Sequence, residues 1–289
     1  MSKIAIVTGS SRGIWKSIAF CLARDGFDVV VNSKNQNDAS NVAKEIQEKF
    51  GTKSIGVAAD IRNKDDVQKL IDKTIEEFHQ IDVLVNNAGV LVVKSLQETT
   101  ENEWDCAIDT NLKGTYLCSK QVLSSMISKK SGCIININSG AGKHGYADLS
   151  AYCASKFGVI GITQSLAEEV NSHGITVVAV CPGAVATDMQ KQFMSEQEYE
   201  ARKHAMISVE KVARITLEAV EGKYESGSAV DVYWTKLLFP SNMQKNFEQI
   251  ISTYSLNTKN AYSLHEESSK NRVSEVNFNN KLNFSSIQF

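Results

Sequence analysis

The chain has 289 residues, 42% hydrophobic and 22% charged, which is enough apolar material for one large α/β domain or two small ones. Its formal net charge of −2 argues against a general nucleic-acid or polyanion binder, which would carry a basic face. No apolar run approaches the roughly 20 residues that span a bilayer, and the five histidines and six cysteines show no metal-ligand spacing.

Short β-branched runs alternate with amphipathic stretches from the start. KIAIVT (3–8) reads as a strand, GIWKSIAFCLARDG (13–26) as a helix ending at Gly26, and DVVVN (28–32) as the second strand. The next helix is expected to start near Asn37 or Asp38 and to stop at Gly51. SIGVAAD (54–60) precedes a helix over 64–78 whose Asp65 and Asp66 suit its N-terminal dipole end. DVLVNN (82–87) follows as the fourth strand, and Thr100-x-x-Glu103 is a capping box for one long helix through about residue 129. CIININS (133–139), a helix over 150–172, ITVVAV (175–180), a helix at 208–221 and a strand near 228–233 complete the series. Near-continuous apolar strands alternating with helices predict a single doubly wound parallel sheet, a Rossmann fold with helices on both faces, over 1–234. From about residue 241 the chain is rich in Asn, Ser and Lys, so 235–289 reads as a disordered or loosely docked extension. Scattered cysteines without CxxC pairs, and the absence of a secretory pattern before the first strand, fit a reducing, cytoplasmic setting.

Three stretches carry candidate chemistry. TGSSRGIW (8–15) lies between a strand and a helix, where backbone N–H groups and the helix dipole face a phosphate and Gly9 and Gly13 allow close approach. Tyr152 and Lys156 in YCASK are four apart on a helix, so the cation is expected to lower the phenol pKa and make it a proton donor or acceptor near neutrality. Ser139 ends the fifth strand, where side chains line the crevice of such folds, and Asn111 falls within the long helix. A turn cap is the plain alternative for Ser139, and a solvated helix position for Asn111.

In order and spacing, TGSSRGI, Asn86-Asn87-Ala88-Gly89, Asn111, Ser139, YCASK and PGAVATDM resemble the short-chain dehydrogenase/reductase superfamily over about residues 3 to 234. The resemblance is to the branch of 3-oxoacyl-acyl-carrier-protein reductases and related carbonyl reductases. It implies hydride transfer between a nicotinamide nucleotide and a carbonyl or secondary alcohol. Tyr152 would be the acid/base, Lys156 would bind the nicotinamide ribose and help lower the tyrosine pKa, Ser139 would hold the substrate oxygen, and Asn111 would support a water-linked proton path. It further implies cofactor contacts from Thr8, Gly9, Ser11, Arg12, Gly13 and Ile14 in the first turn and from Asn87, Ala88 and Gly89. Asp60 and Ile61 would flank the adenine, and Thr187, after Pro182-Gly183, would contact the nicotinamide amide. Homodimers or homotetramers are common in the family, through the helices around 101–129 and 150–172.

No acid stands at the end of the second strand, where one would repel a 2′-phosphate; the residues are Asn32, Ser33 and Lys34, with Arg12 nearby by analogy. This favours NADP(H), and uncharged Asn32 leaves NAD(H) open. Trp15 stands where the family has its third glycine, and the overpacking it brings costs about 1–3 kcal/mol. An active enzyme with a shifted helix, an inactive binding or regulatory protein, and a sequence variant are the readings it leaves open. The stretches 140–150, Leu91 to Lys94 and a lid-like segment from Thr187 to His204, with Met189, Phe193 and Met194, are expected to shape the pocket. Lys143 and His144 at its mouth are candidates for holding an anionic substrate or carrier. No metal and no nucleic-acid or membrane partner is expected. The alternatives to a general carbonyl reductase are a 3-oxoacyl-thioester reductase and, from another class, the impaired binding protein.

Overall fold

In a computed structural model of the chain, residues 2–11 and 13–233 are described, Trp15 by its backbone only. Arg12, the Trp15 side chain and the extension expected at 235–289 lie outside the described residues.

The elements alternate as β1 (Ile4–Val7), α1 (Gly13–Arg24), β2 (Asp28–Ser33), α2 (Gln36–Phe50), β3 (Ser54–Ala58), α3 (Lys64–Phe78) and β4 (Val83–Asn86). They continue as α4 (Glu101–Ala107), α5 (Gly114–Lys129), β5 (Gly132–Ile137), α6 (Ser150–Val170), β6 (Ile175–Pro182), α7 (Glu196–Arg202), α8 (Val209–Val220) and β7 (Ala229–Val232). All seven strands pair in parallel in the order β3-β2-β1-β4-β5-β6-β7. This is the doubly wound sheet expected from the alternation, and the strand order reverses between β1 and β4.

The alternation of side chains along each strand divides the core in two. Ala5 and Val7 of β1 face Ile18, Leu22, Val42, Ile46 and Val212, which come from α1, α2 and α8. Ile4 and Ile6 face Val67, Leu70, Val122, Met126 and Leu166, which come from α3, α5 and α6. The helix starts follow from caps. Asn35 accepts N–H bonds from Asn37 and Asp38, so α2 begins at Gln36, slightly before the expected position. Asn63 does the same for Asp65 and Asp66 of α3, and the Thr100–Glu103 capping box is formed.

The expected single helix over 101–129 is interrupted by a π-helical segment, Ile108–Lys113, between α4 and α5. One wider turn changes the hydrogen-bond register and carries Asn111 inward, where it is buried. Among the described residues no helix is long and apolar enough to cross a membrane.

Candidate active site

The loops after β1 and β4 meet at the strand-order reversal. Thr8 Oγ1 accepts the N–H groups of Asn87 at 2.9 Å and Ala88 at 3.1 Å, and Asn87 Nδ2 donates to the Thr8 carbonyl at 2.8 Å. Gly9 has φ +64°, and a Cβ there would lie 2.8 Å from Ala88 Cα, so only glycine lets the two loops come this close. Gly13 and Ile14, at the start of α1, open onto a cavity of about 700 Å³. Asn87, Gly89, Ser139, Tyr152, Lys156, Pro182, Gly183 and Thr187 line the same cavity.

The catalytic candidates converge there through buried and part-buried hydrogen bonds. The π segment places Asn111 so that its Oδ1 accepts Val90 N–H at 2.8 Å, while Nδ2 donates to the Val90 carbonyl at 2.9 Å and to Ser155 Oγ at 3.0 Å. Ser155 Oγ in turn donates to the Tyr152 carbonyl at 2.7 Å. Asn111 therefore braces the β4 loop against α6. Ser139 is both a cap and a site residue. Its Oγ accepts the Ala141 N–H at 3.2 Å, and the residue lines the cavity together with Tyr152.

Lys156 is buried and donates Nζ to the Ile137 carbonyl at 2.9 Å. Its ammonium lies 5.7 Å from the centre of the Tyr152 ring. The expected lowering of the phenol pKa is absent from the protein alone. Burial pushes Tyr152 up to about 12, against a smaller downward pull from Ser139. Burial also pushes Lys156 down to about 8. The cation is turned towards Ile137, so desolvation dominates both groups.

At the other end of the first turn, Ser33 Oγ lies 3.4 Å from Ser11 Oγ, and Lys34 pairs with Asp60 at 3.3 Å. Burial works to raise the Asp60 pKa, but the fork of hydrogen bonds from Arg62 and the charge of Lys34 hold it down at about 2. Asn32, expected beside the cofactor, points inward instead. It is buried, accepts Gly9 N–H at 3.2 Å and donates to the carbonyls of Val57 at 3.2 Å and Ala59 at 3.1 Å. Ile61 is likewise buried, close against Gly114.

Lys143 is not available to an anionic substrate: its Nζ donates to Asp231 at 2.7 Å and to the Ala229 carbonyl at 2.8 Å, tying the loop after β5 to β7. His144 is exposed and lies outside the cavity lining. Of the expected lid, Met189 and Phe193 line the cavity, with Leu91, Tyr146 and Leu149 on other walls. Sequence reasoning passed over Asn138, Ser155 and Arg62. Each stands one residue from a singled-out position, beside Ser139, Lys156 and Ile61 respectively, and a polar residue that bonds to neighbouring main chain or side chains gives no signal of its own.

Residues 3–198 match the short chain dehydrogenase family. The chain is 44% identical over 190 residues to a 3-oxoacyl-acyl-carrier-protein reductase of Staphylococcus epidermidis, covering 65% of this chain and 78% of that protein. Against a 3-oxoacyl-acyl-carrier-protein reductase of Synechocystis the identity is 44% over 195 residues, covering 68% and 79%. The crystal structure of a short-chain type dehydrogenase/reductase from Mycobacterium marinum superposes with a TM-score of 0.73 at 28% identity, covering 80% of this chain and 93% of that one. The chain is an oxidoreductase that belongs to the short-chain dehydrogenase/reductase family, in its 3-oxoacyl-acyl-carrier-protein reductase-like branch.

Proposed function

We propose that this oxidoreductase reduces a carbonyl compound with NADPH, and that its substrate is a 3-oxoacyl thioester. The observation that carries the reading is the convergence of Ser139, Tyr152 and Lys156 on the cavity that also receives the start of α1. The cavity's walls fit a nicotinamide nucleotide. Asn87 Oδ1 is buried without a hydrogen-bond partner, and at Gly89 a Cβ would come within 3.3 Å of Asn111 Oδ1 and 3.9 Å of Lys156 Nζ. Gly13, Ile14, Asn87, Gly89, Lys156 and Pro182 to Thr187 would hold it, with Ser11, Ser33 and Lys34 beside the adenosine ribose. When bound, the nucleotide supplies the hydride.

The chain's own residues supply the proton and the orientation. Tyr152 stays protonated at neutral pH because burial resists the phenolate, so it can donate to a carbonyl oxygen as negative charge develops there. Ser139 holds that oxygen beside the phenol. Lys156, protonated below about pH 8, lends positive charge to the same end of the cavity. Val90, Leu91, Leu149, Met189 and Phe193 offer apolar contact to an acyl chain. The relatives' activity on 3-oxoacyl-acyl-carrier-protein favours the thioester over a simple ketone. Exposed Trp104, Tyr116 and Phe157 on α4, α5 and α6 support assembly as a dimer or tetramer.

A chain-length series tests the substrate. NADPH oxidation should be faster with 3-oxoacyl thioesters than with simple ketones or aldehydes, and should vary with acyl length. Equal rates across both classes would leave a general carbonyl reductase.

A further inference from the structure

We propose that Asn138 is a positioning residue, locking the end of β5 that presents Ser139 to the turn of α6 that presents Lys156. The inference rests on the functional reading above and concerns a residue that lines the cavity beside Ser139 while its side chain bonds to main chain at both ends. Asn138 is buried. Its Oδ1 accepts the Ser139 N–H at 2.8 Å and its Nδ2 donates to the Lys156 carbonyl at 3.0 Å. Its own N–H reaches across to the Val180 carbonyl of β6 at 2.7 Å. Lys156 completes the reciprocal tie, with Nζ on the carbonyl of Ile137, the residue before Asn138. A carbonyl oxygen has two lone pairs, so Lys156 can accept Asn138 in addition to a helical N–H.

The surroundings leave this amide one place to sit. Gly142 closes over it, and a Cβ at Gly142 would lie 2.5 Å from Asn138 Oδ1 and 2.9 Å from the Lys156 carbonyl oxygen. Both polar ends of the Asn138 side chain are thus committed to the backbones of Ser139 and Lys156. A shorter or apolar residue satisfies neither and leaves Ser139 free to drift from Tyr152. A misplacement of about 1 Å at a reacting centre can cost about a hundredfold in rate.

The test compares the full-length protein with Asn138→Ala and Asn138→Asp, using NADPH with an acetoacetyl thioester and amide hydrogen exchange at Ser139. Asn138→Ala should lower kcat about a hundredfold, leave KM within about twofold, and speed Ser139 exchange. Asn138→Asp keeps the acceptor for Ser139 but loses the donor to Lys156. It should therefore retain slow Ser139 exchange, lose kcat, and move the alkaline limb of the pH profile upward, because a carboxylate near Lys156 favours the ammonium. Unchanged kcat and pH profile in both variants, with only a lower melting temperature, would overturn the proposal. Unchanged Ser139 exchange in Asn138→Ala would also overturn it, and that readout keeps its meaning if the unmodified protein reduces no substrate. Absence of turnover in the unmodified protein would count against the proposed function instead.

Discussion

Asn32 holds the first turn from inside the protein: its Oδ1 accepts the Gly9 N–H while its Nδ2 donates to the carbonyls of Val57 and Ala59. A residue at the end of β2 would ordinarily be the place to set cofactor preference by charge. Here the side chain is committed to three backbone groups on two segments, the first turn and the end of β3. Asn32→Asp removes the donor and sets a carboxylate against carbonyl oxygens. It should destabilise the protein by about 2–3 kcal/mol rather than convert it to NADH use. Chemical denaturation and titrations with both nucleotides will separate these outcomes; an unchanged midpoint with a switch to NADH would contradict the inward placement.

Under the proposed NADPH reading, Ser11, Ser33 and Lys34 are the described residues that would contact a 2′-phosphate, Arg12 lying outside the described residues. Lys34 is more than half exposed and already shared with Asp60, so its contribution is reduced by solvent. Lys34→Ala should weaken NADPH binding about fivefold, or about 1 kcal/mol on the scale where tenfold is 1.4 kcal/mol, and leave NADH unaffected. Calorimetric titration checks this. Equal losses for both nucleotides would place Lys34 outside the phosphate contact.

Buried Lys156 and half-buried Tyr152 give a signed pH dependence. The Lys156 pKa falls on folding from 10.5 to about 8, so between those values the unfolded chain binds a proton that the folded one does not. Stability therefore rises with pH across that window from this group. The Tyr152 pKa is raised from 10 to about 12, so its contribution falls as pH climbs through that range. Lys156→Met should flatten the rise and Tyr152→Phe the later fall. Reductase activity should also decline as pH passes about 8, where Lys156 loses its proton in the absence of cofactor. Matched urea denaturation curves at several pH values test the first pair, and a pH–rate profile tests the last.

Much of this fold was legible because a parallel sheet writes itself as apolar strands separated by amphipathic helices. The helix over 64–78 and the Thr100–Glu103 cap were found as expected. The π segment was not, because one extra residue in a helical turn leaves the apolar spacing almost unchanged. The convergence of Ser139, Tyr152 and Lys156 followed from their places at a strand end and on one helix. The direction of the tyrosine shift did not. It depends on where the Lys156 ammonium turns, and that is fixed by the Ile137 carbonyl, a main-chain atom with no signature in the sequence. Lys143 and Asn32 failed for a related reason: a polar residue near a cavity mouth can bond inward as readily as outward, and only the neighbours decide.

Trp15 bears most directly on whether the chain uses a nicotinamide nucleotide at all. The deciding measurement is a calorimetric NADPH titration of the unmodified protein and of Trp15→Gly, followed by NADPH oxidation with an acetoacetyl thioester. The unmodified protein should bind NADPH and turn over. Tyr152→Phe should lose at least about a hundredfold in rate, the lower end of what general acid–base catalysis contributes, while still binding NADPH. Binding that returns only when Trp15 is replaced by glycine would contradict an active reductase and leave a family member whose cofactor site is closed.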